Sequence, residues 1–391
     1  MKAIVLGGGG MMGRVAARDL VESWGAEVTL ADADPVAAGA AADWIGQGTV
    51  EVRPADVRDA AALDALLEGQ DCAVNAVNYY FNLEVMRACL RKAVHYVDLG
   101  GLFHMTRKQL DLDGQFRQAG LTAVIGIGAD PGVTNVQAAH TARAMSAIES
   151  IRVYDGILPA TDDEIVWGYS IATILDELVM NPFAFRDGEF VELAPLSEPE
   201  PFLFAPPIGL RNVHHSLHSE VATMPLVYGE RGIKEVTFKI NDFGFSPAVL
   251  ARLKSLADLG FASREPVDVG ETPVIPRDVL IAVLSRAAAK AAPASAEGAE
   301  ELVTDVRGRD GEGPVRITVR TVATTPRWGL DPGSVMTGVP ASICAAWIAA
   351  GELRAPGVNA PESVVNPDNF FRELAQRDIR TTVSVERPAG S

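Results

Sequence analysis

The sequence predicts an α/β chain: an N-terminal doubly wound parallel sheet, then a second α+β domain of mixed sheet. Three observations carry this. Short apolar runs alternate with helical patterns as far as Asp130, and a glycine-rich turn joins the first run to the first helix. Beyond Asp130-Pro131-Gly132 the alternation breaks, and strands with period-two patterning gather between scattered helices.

Taken in order, Ala3–Leu6 is a strand, and a helix follows in which Met12, Val15, Ala16 and Leu20 recur at helical spacing opposite Arg14, Arg18 and Glu22. Strands are expected at Glu27–Ala31, Val50–Val52, Cys72–Val77, Val94–Val97 and Leu121–Ile127. Helices between them are expected at Pro35–Trp44, Ala60–Leu67, Leu83–Lys92 and Lys108–Gln118. Strands and helices alternating at these lengths give a parallel sheet covered on both faces. In the second half, helices are expected at Thr134–Met145, Thr173–Val179 and Pro276–Ala292, and strands at Ser150–Asp155, Glu235–Ile240 and Val315–Ala323. Val191–Pro207 reads as proline-rich loop with strand fragments, and Ala291–Glu301 as an exposed acidic loop. The domains divide as 1–130, completed by the C-terminal segment 336–391 with a helix at Ser342–Ala350, and 131–335.

The 391 residues are 48% hydrophobic, too apolar for a disordered chain, and 34 basic against 51 acidic side chains leave a net charge of −17. No basic stripe for nucleic acid appears. The richest apolar run, near Ile343–Ala350, is short for a membrane span, and the N-terminus reads as a first strand, so a cytoplasmic protein is expected. Cys72, Cys89 and Cys344 lack paired spacing and read as reduced thiols.

Gly7–Gly13 contains Gly8-x-Gly10-x-x-Gly13 between strand and helix, with four consecutive glycines leaving the register open by one. A side chain at Gly8 or Gly10 would hold a pyrophosphate away from the amides at the helix start, and Gly13 lets helix and strand approach. Asp32 ends the second strand 22 residues after Gly10, where a carboxylate accepts from ribose hydroxyls and repels a 2′-phosphate. Ala33, Asp34 and Pro35 supply no arginine, so NAD is expected over NADP. Asp56 either caps the next helix or touches adenine. Asn75, Ala76 and Asn78 follow the fourth strand, where nicotinamide should lie, whereas Asn82 reads as a helix cap. The expected cofactor contacts are thus Gly8, Gly10, Met11, Met12, Gly13, Asp32, Asp56, Asn75, Ala76 and Asn78.

With these motifs the chain resembles the saccharopine dehydrogenase family, and within it the lysine 6-dehydrogenases. The resemblance covers GGGGMMG with TLADAD, VNAVNYYFN, HYVDLGG, GADPGVTN, YSIATILDELVMNP with FRDGEFVELAPLSEPEP, and TGVPASICAAWIAAGELRAPGVNAPESVV. HHSLHSEVATMP and DPGVTN look more like saccharopine or carboxynorspermidine dehydrogenase relatives. The resemblance implies a Rossmann domain, a substrate domain, a cleft between them, oxidation of a carbon–nitrogen bond with NAD(P), and a homo-oligomer, dimer or tetramer.

Oxidising an amine requires a base, because an ammonium nitrogen has no free lone pair. His218 is the expected acid–base group, with Asp98 across the cleft and Glu220 and Tyr80 as further catalytic candidates. Asp130 serves either the site or its turn. His214, His215 and His218 lack a metal-binding pattern, and no metal is expected. The expected reaction is NAD-dependent oxidative deamination of the L-lysine side-chain amine. The alternatives are a secondary amine of the saccharopine or carboxynorspermidine type, and an NAD-sensing binding protein without turnover. Residues 151–240 hold 14 acidic and six basic side chains, which leans toward a cationic amino-acid substrate.

Overall fold

The computed structural model describes residues 1–46, 48–158, 168–288, 298–324 and 327–387. Its strands are β1 (Lys2–Leu6), β2 (Glu27–Asp32), β3 (Val50–Pro54), β4 (Cys72–Asn75), β5 (His95–Asp98), β6 (Thr122–Val124), β7 (Ala147–Ile157), β8 (Phe183–Arg186), β9 (Glu189–Glu192), β10 (Glu200–Leu203), β11 (Leu210–His215), β12 (Glu235–Ile240), β13 (Val267–Val269), β14 (Thr272–Val274), β15 (Glu300–Asp310), β16 (Gly313–Ala323), β17 (Gly357–Asn359) and β18 (Arg380–Glu386).

The first sheet is parallel throughout, in the order β17-β6-β5-β4-β1-β2-β3. Its central strands are apolar without alternation because helices cover both faces; every residue of β4 is buried. Strand order reverses between β1 and β4, which opens a crevice beyond their carboxyl ends. The second sheet runs β10-β11-β12-β7-β15-β16-β18, with β8 also on β12 and β9 on β8. β7 pairs parallel with β12 and antiparallel with β15, so it is the hub of this sheet.

Several expectations are corrected. Lys108–Gln118 is not one helix: Leu102–Leu110 and Asp113–Ala119 flank a break, because Leu102, Phe103, Thr106 and Gln109 already form a buried face starting just after Gly101. In Ala291–Glu301, residues 291–297 lie outside the described residues, but Glu300 and Glu301 are buried at the start of β15, carried inward by pairing with Ile157 and Gly156. The C-terminal segment is shared between the sheets. β17 extends the first, whereas β18 pairs with β16 in the second.

The helix expected at Ser342–Ala350 starts earlier and spans Pro332–Ala349. By length and composition it could cross a membrane, which corrects the expectation drawn from the short run at its end; 83% of it is buried inside the chain. Gly338 is what lets it lie against the helix Met11–Trp24, since a Cβ there would stand 2.6 Å from the Val15 side chain.

Candidate functional site

The glycine run folds as a cradle. Gly7 has φ +78°, and a Cβ on it would lie 2.8 Å from the backbone of Ala76. A Cβ on Gly13 would come 2.2 Å from the Gly7 carbonyl. The helix Met11–Trp24 has Gly10 as its N-cap, and the first intrahelical bond runs from the Arg14 amide to Gly10, so the amides of Met11, Met12 and Gly13 lack helical partners. A helix start of this kind fits a pyrophosphate.

Beside it, beyond β1 and β4, is a cavity of about 450 Å³ lined by residues that include Gly7, Gly10, Asp32, Asp56, Arg58 and Ala76. Of the other expected contacts, Gly8, Met11, Met12, Gly13, Asn75 and Asn78 do not line it. Asp32 fastens the cradle: its Oδ2 accepts from the Gly9 amide at 2.9 Å and its Oδ1 from the Asp34 amide at 2.9 Å. Each oxygen keeps a lone pair for a ribose hydroxyl. Asp56 does not cap the following helix, because Asp59 accepts from Ala61 and Ala62 there. It instead grips Arg58 at 2.5 Å, and the guanidinium holds its carboxyl down to about 2. Arg58 was missed because only the residues directly after Asp32 were read for a phosphate-binding arginine.

The companion role expected for Asp98 is corrected by its surroundings. It is 1% exposed, and its oxygens accept from the amides of Gly126 (2.6 Å) and Gly100 (3.0 Å), Gln109 (2.5 Å), Tyr96 (2.8 Å) and Asn82 (3.2 Å). Burial still raises its pKa, against those donors. This carboxylate braces the ends of β5 and β6. Asn82 belongs to the brace and does not cap its helix, whose N-cap is Phe81. Asn75 donates to Asn82 (2.9 Å) and Tyr96 (3.0 Å), and its Oδ1 has no partner among the described residues. Asn78 accepts from the Tyr80 amide.

Tyr80 is knotted to the second domain. Its hydroxyl and that of Tyr79 both donate to Asp176, which also pairs with Arg277 (2.9 Å) and Arg264 (3.2 Å). Burial and Asp176 push the Tyr80 phenol up to about 12.

His218 follows β11 and stacks on Phe238, centroids 3.6 Å apart. Its Nδ1 lies 3.3 Å from Glu220 and its Nε2 3.6 Å from Glu177. Burial alone would lower this imidazole, and the two carboxylates more than reverse that, setting it well above the usual histidine range. Glu220 accepts from Thr134 at 2.9 Å, and Glu177 from Ser216 at 2.6 Å and Tyr169 at 3.1 Å. Ser219 contacts Thr106 at 2.9 Å and the Gly101 amide, so the histidine segment docks on the loop after β5. His214 and His215 lie apart, near Asp242 (3.7 Å) and Glu198 (3.2 Å) respectively. Among the described residues, the side chains whose oxygens converge tightly enough to hold a cation are Asp130, Asp155 and Glu300. Asp155 and Glu300 went unnoticed in the sequence because strand pairing alone brings them together.

Residues 3–124 match the saccharopine dehydrogenase NADP binding domain, and residues 128–379 the saccharopine dehydrogenase C-terminal domain. The chain is 25% identical to carboxyaminopropylagmatine dehydrogenase of Synechocystis, over 97% of this chain and 96% of that protein. It is 27% identical to carboxynorspermidine synthase of Vibrio cholerae, over 83% and 80% of the two chains. Its fold matches the saccharopine dehydrogenase (L-Glu forming) from Saccharomyces cerevisiae with a TM-score of 0.72, at 18% identity, over 99% of this chain and 100% of that one. With a glycine cradle built for a nicotinamide dinucleotide and both domains matched in order, the chain belongs to the saccharopine dehydrogenase family of oxidoreductases.

Proposed function

We propose that this protein is an NAD-dependent dehydrogenase acting on a carbon–nitrogen bond, its substrate a secondary amine that joins an amino-acid carbon to an amine chain. The observation that carries the reading is the docking of the His218–Glu220 segment, through Ser219, on the loop after β5, beside the crevice of the dinucleotide sheet. The chemistry a bound nicotinamide supplies is hydride transfer. The chain's part is to orient the amine and to handle its proton. His218, protonated between Glu177 and Glu220, gives a proton to the substrate nitrogen in the direction that forms the amine and takes it back in the other. Similarity over nearly the full length to a carboxyaminopropylagmatine dehydrogenase supports the secondary amine over L-lysine. L-Lysine is the second reading, since an acidic cleft suits its two ammonium groups.

For the cofactor, Asp32 in the cavity supports NAD. Arg58 in the same cavity supports a second reading, NADP, once its guanidinium leaves Asp56. Incubation with NAD or NADP and lysine, ornithine, saccharopine and N-carboxyalkyl di- and polyamines, read by the absorbance of the reduced nicotinamide, tests both choices. Turnover is expected on the carboxyalkyl amines with NAD. Reduction of neither dinucleotide with any of these amines would leave the NAD-sensing alternative standing and overturn the proposal.

A further inference from the structure

A second cavity, of about 380 Å³, lies at the ends of the helices Val133–Ala144 and Glu220–Tyr228, where the short helix Pro361–Val364 packs on both. It shares no lining residue with the dinucleotide cavity. Its volume falls within the range of about 300–1,000 Å³ typical of small-molecule sites. Arg143, Tyr228, Arg231 and Glu362 are its charged and polar lining, and Ala142 and Val365 are part of its apolar wall.

Two of these side chains lack the partners that burial demands. Tyr228 is 4% exposed and Glu362 7%, and both the Tyr228 hydroxyl and Glu362 Oε1 are buried with no hydrogen bond among the described residues. Each costs free energy until a partner reaches it. The other Glu362 oxygen is engaged, since Oε2 accepts from Asn135 at 2.8 Å, and Asn135 in turn accepts from the Gly132 amide at 2.9 Å. The carboxyl group is thus held from the protein side with one oxygen left over. Positive charge lines the same cavity. Arg231 is fixed by Nη2, which donates to the Ala142 carbonyl at 2.8 Å and to that of Met145, and Arg143 by Nη1, which donates to Asp368 at 2.8 Å. Both guanidinium groups keep further N–H donors.

We propose that this cavity is a second ligand site, which takes a small α-amino acid with an apolar side chain as its zwitterion. An anion alone would leave Glu362 Oε1 bare, and a cation alone would face two guanidinium groups; a zwitterion answers both. Its carboxylate takes the arginines and the Tyr228 hydroxyl, its ammonium donates to Glu362 Oε1, and its side chain lies against Ala142 and Val365. The site does not depend on the carbon–nitrogen reading above. Thr134, beside Asn135, donates to Glu220, the neighbour of His218, so binding here has to be separated from binding in the substrate cleft.

The test is calorimetric titration of the full chain with L-valine, and with isovalerate and isobutylamine, which each keep one of its two charges. Burial pushes Glu362 up to about 7, so the titration is run on the alkaline side of neutrality, where the carboxylate is ionised. NADH affinity of each variant reports folding. L-Valine is expected to bind the free and the NADH-saturated chain alike, and each single-charge analogue to bind about tenfold or more weakly. Tyr228→Phe removes only the hydroxyl and Glu362→Gln only the charge. Each is expected to weaken L-valine about tenfold with NADH affinity unchanged, whereas His218→Ala should leave L-valine binding as it is. No binding of L-valine, as when ordered water alone fills the cavity, would overturn the proposal. So would equal binding of either analogue, or unchanged binding in both Tyr228→Phe and Glu362→Gln. Binding lost in His218→Ala but kept in those two variants would put the amino acid in the substrate cleft and overturn it as well.

Discussion

A carboxylate enclosed by donors is a brace before it is a reagent, and Asp98 shows the difference in its five hydrogen bonds. Asp98→Asn turns an acceptor into a donor facing other donors, so unfolding in urea is expected to show a loss of about 3 kcal/mol. An unchanged midpoint would contradict the brace. His218→Ala is expected to lower turnover about 100-fold on whichever amine is oxidised, with NADH affinity preserved, because the change removes a proton carrier and leaves the glycine cradle intact. His214→Ala, away from the cleft group, serves as the control and should do little. The residues legible in the sequence were those whose role is local: the glycine turn, Asp32 at a strand end, and the histidine segment. Asp155, Glu177 and Glu300 were not, since only strand register and helix docking carry them to one place. His218 was singled out together with Glu220, two residues on, but Glu177 comes to its ring only through packing that no spacing rule shows.

At the scale of elements, the parallel sheet was readable because strands buried on both faces leave continuous apolar runs, and its strand boundaries shift by up to three residues, as where Leu121–Ile127 becomes Thr122–Val124. The second sheet was not. β15 begins with two glutamates that look like loop, and β18 alternates weakly because it is an exposed edge. The helix Pro332–Ala349 was recognised only at its apolar end, since its first half carries Pro332, Gly333, Gly338 and Pro340. One buried ion pair ties this helix to the helix Met11–Trp24 and to the turn after the helix Pro367–Ala375. Arg377 donates to Asp19 with both Nε (2.9 Å) and Nη2 (3.0 Å), and Ser342 donates to the same carboxylate. Arg377→Met strands a fully buried charge and is expected to cost about 4 kcal/mol in chemical denaturation. The double variant Arg377→Met/Asp19→Leu should recover much of that, because a well-packed apolar pair replaces a buried ion pair at little cost. If the double variant proves less stable than the single one, the pair is not what holds these helices.

At the scale of the whole molecule, the buried acids should govern how stability varies with pH. Burial raises Glu300 to about 8 and Glu362 to about 7, and Asp130 and Asp155 are raised as well. An acid whose folded pKa is raised binds an extra proton in the native state, so its contribution is complete below the unfolded value and is lost as pH rises through the folded one. His218, also raised, acts in the same direction above its ordinary value near 6.5. The lowered imidazoles of His95 and His215 act oppositely, but only up to about pH 7, beyond which they are neutral in both states. Glu198, held near 2 by Arg186, has given its full contribution by about pH 5 and is constant thereafter. The slope above neutrality therefore belongs to these raised acids, Glu362 among them, and to His218. Each extra native proton contributes a fall of about 1.4 kcal/mol per pH unit, so the melting temperature should drop from pH 7 to 8.5. Glu300→Gln keeps the shape of the side chain without a titrating proton, and in it the decline should be shallower. A melting temperature that is flat or rising across that interval in the wild type, or an identical slope in Glu300→Gln, would show that these carboxyl groups are already ionised at neutral pH.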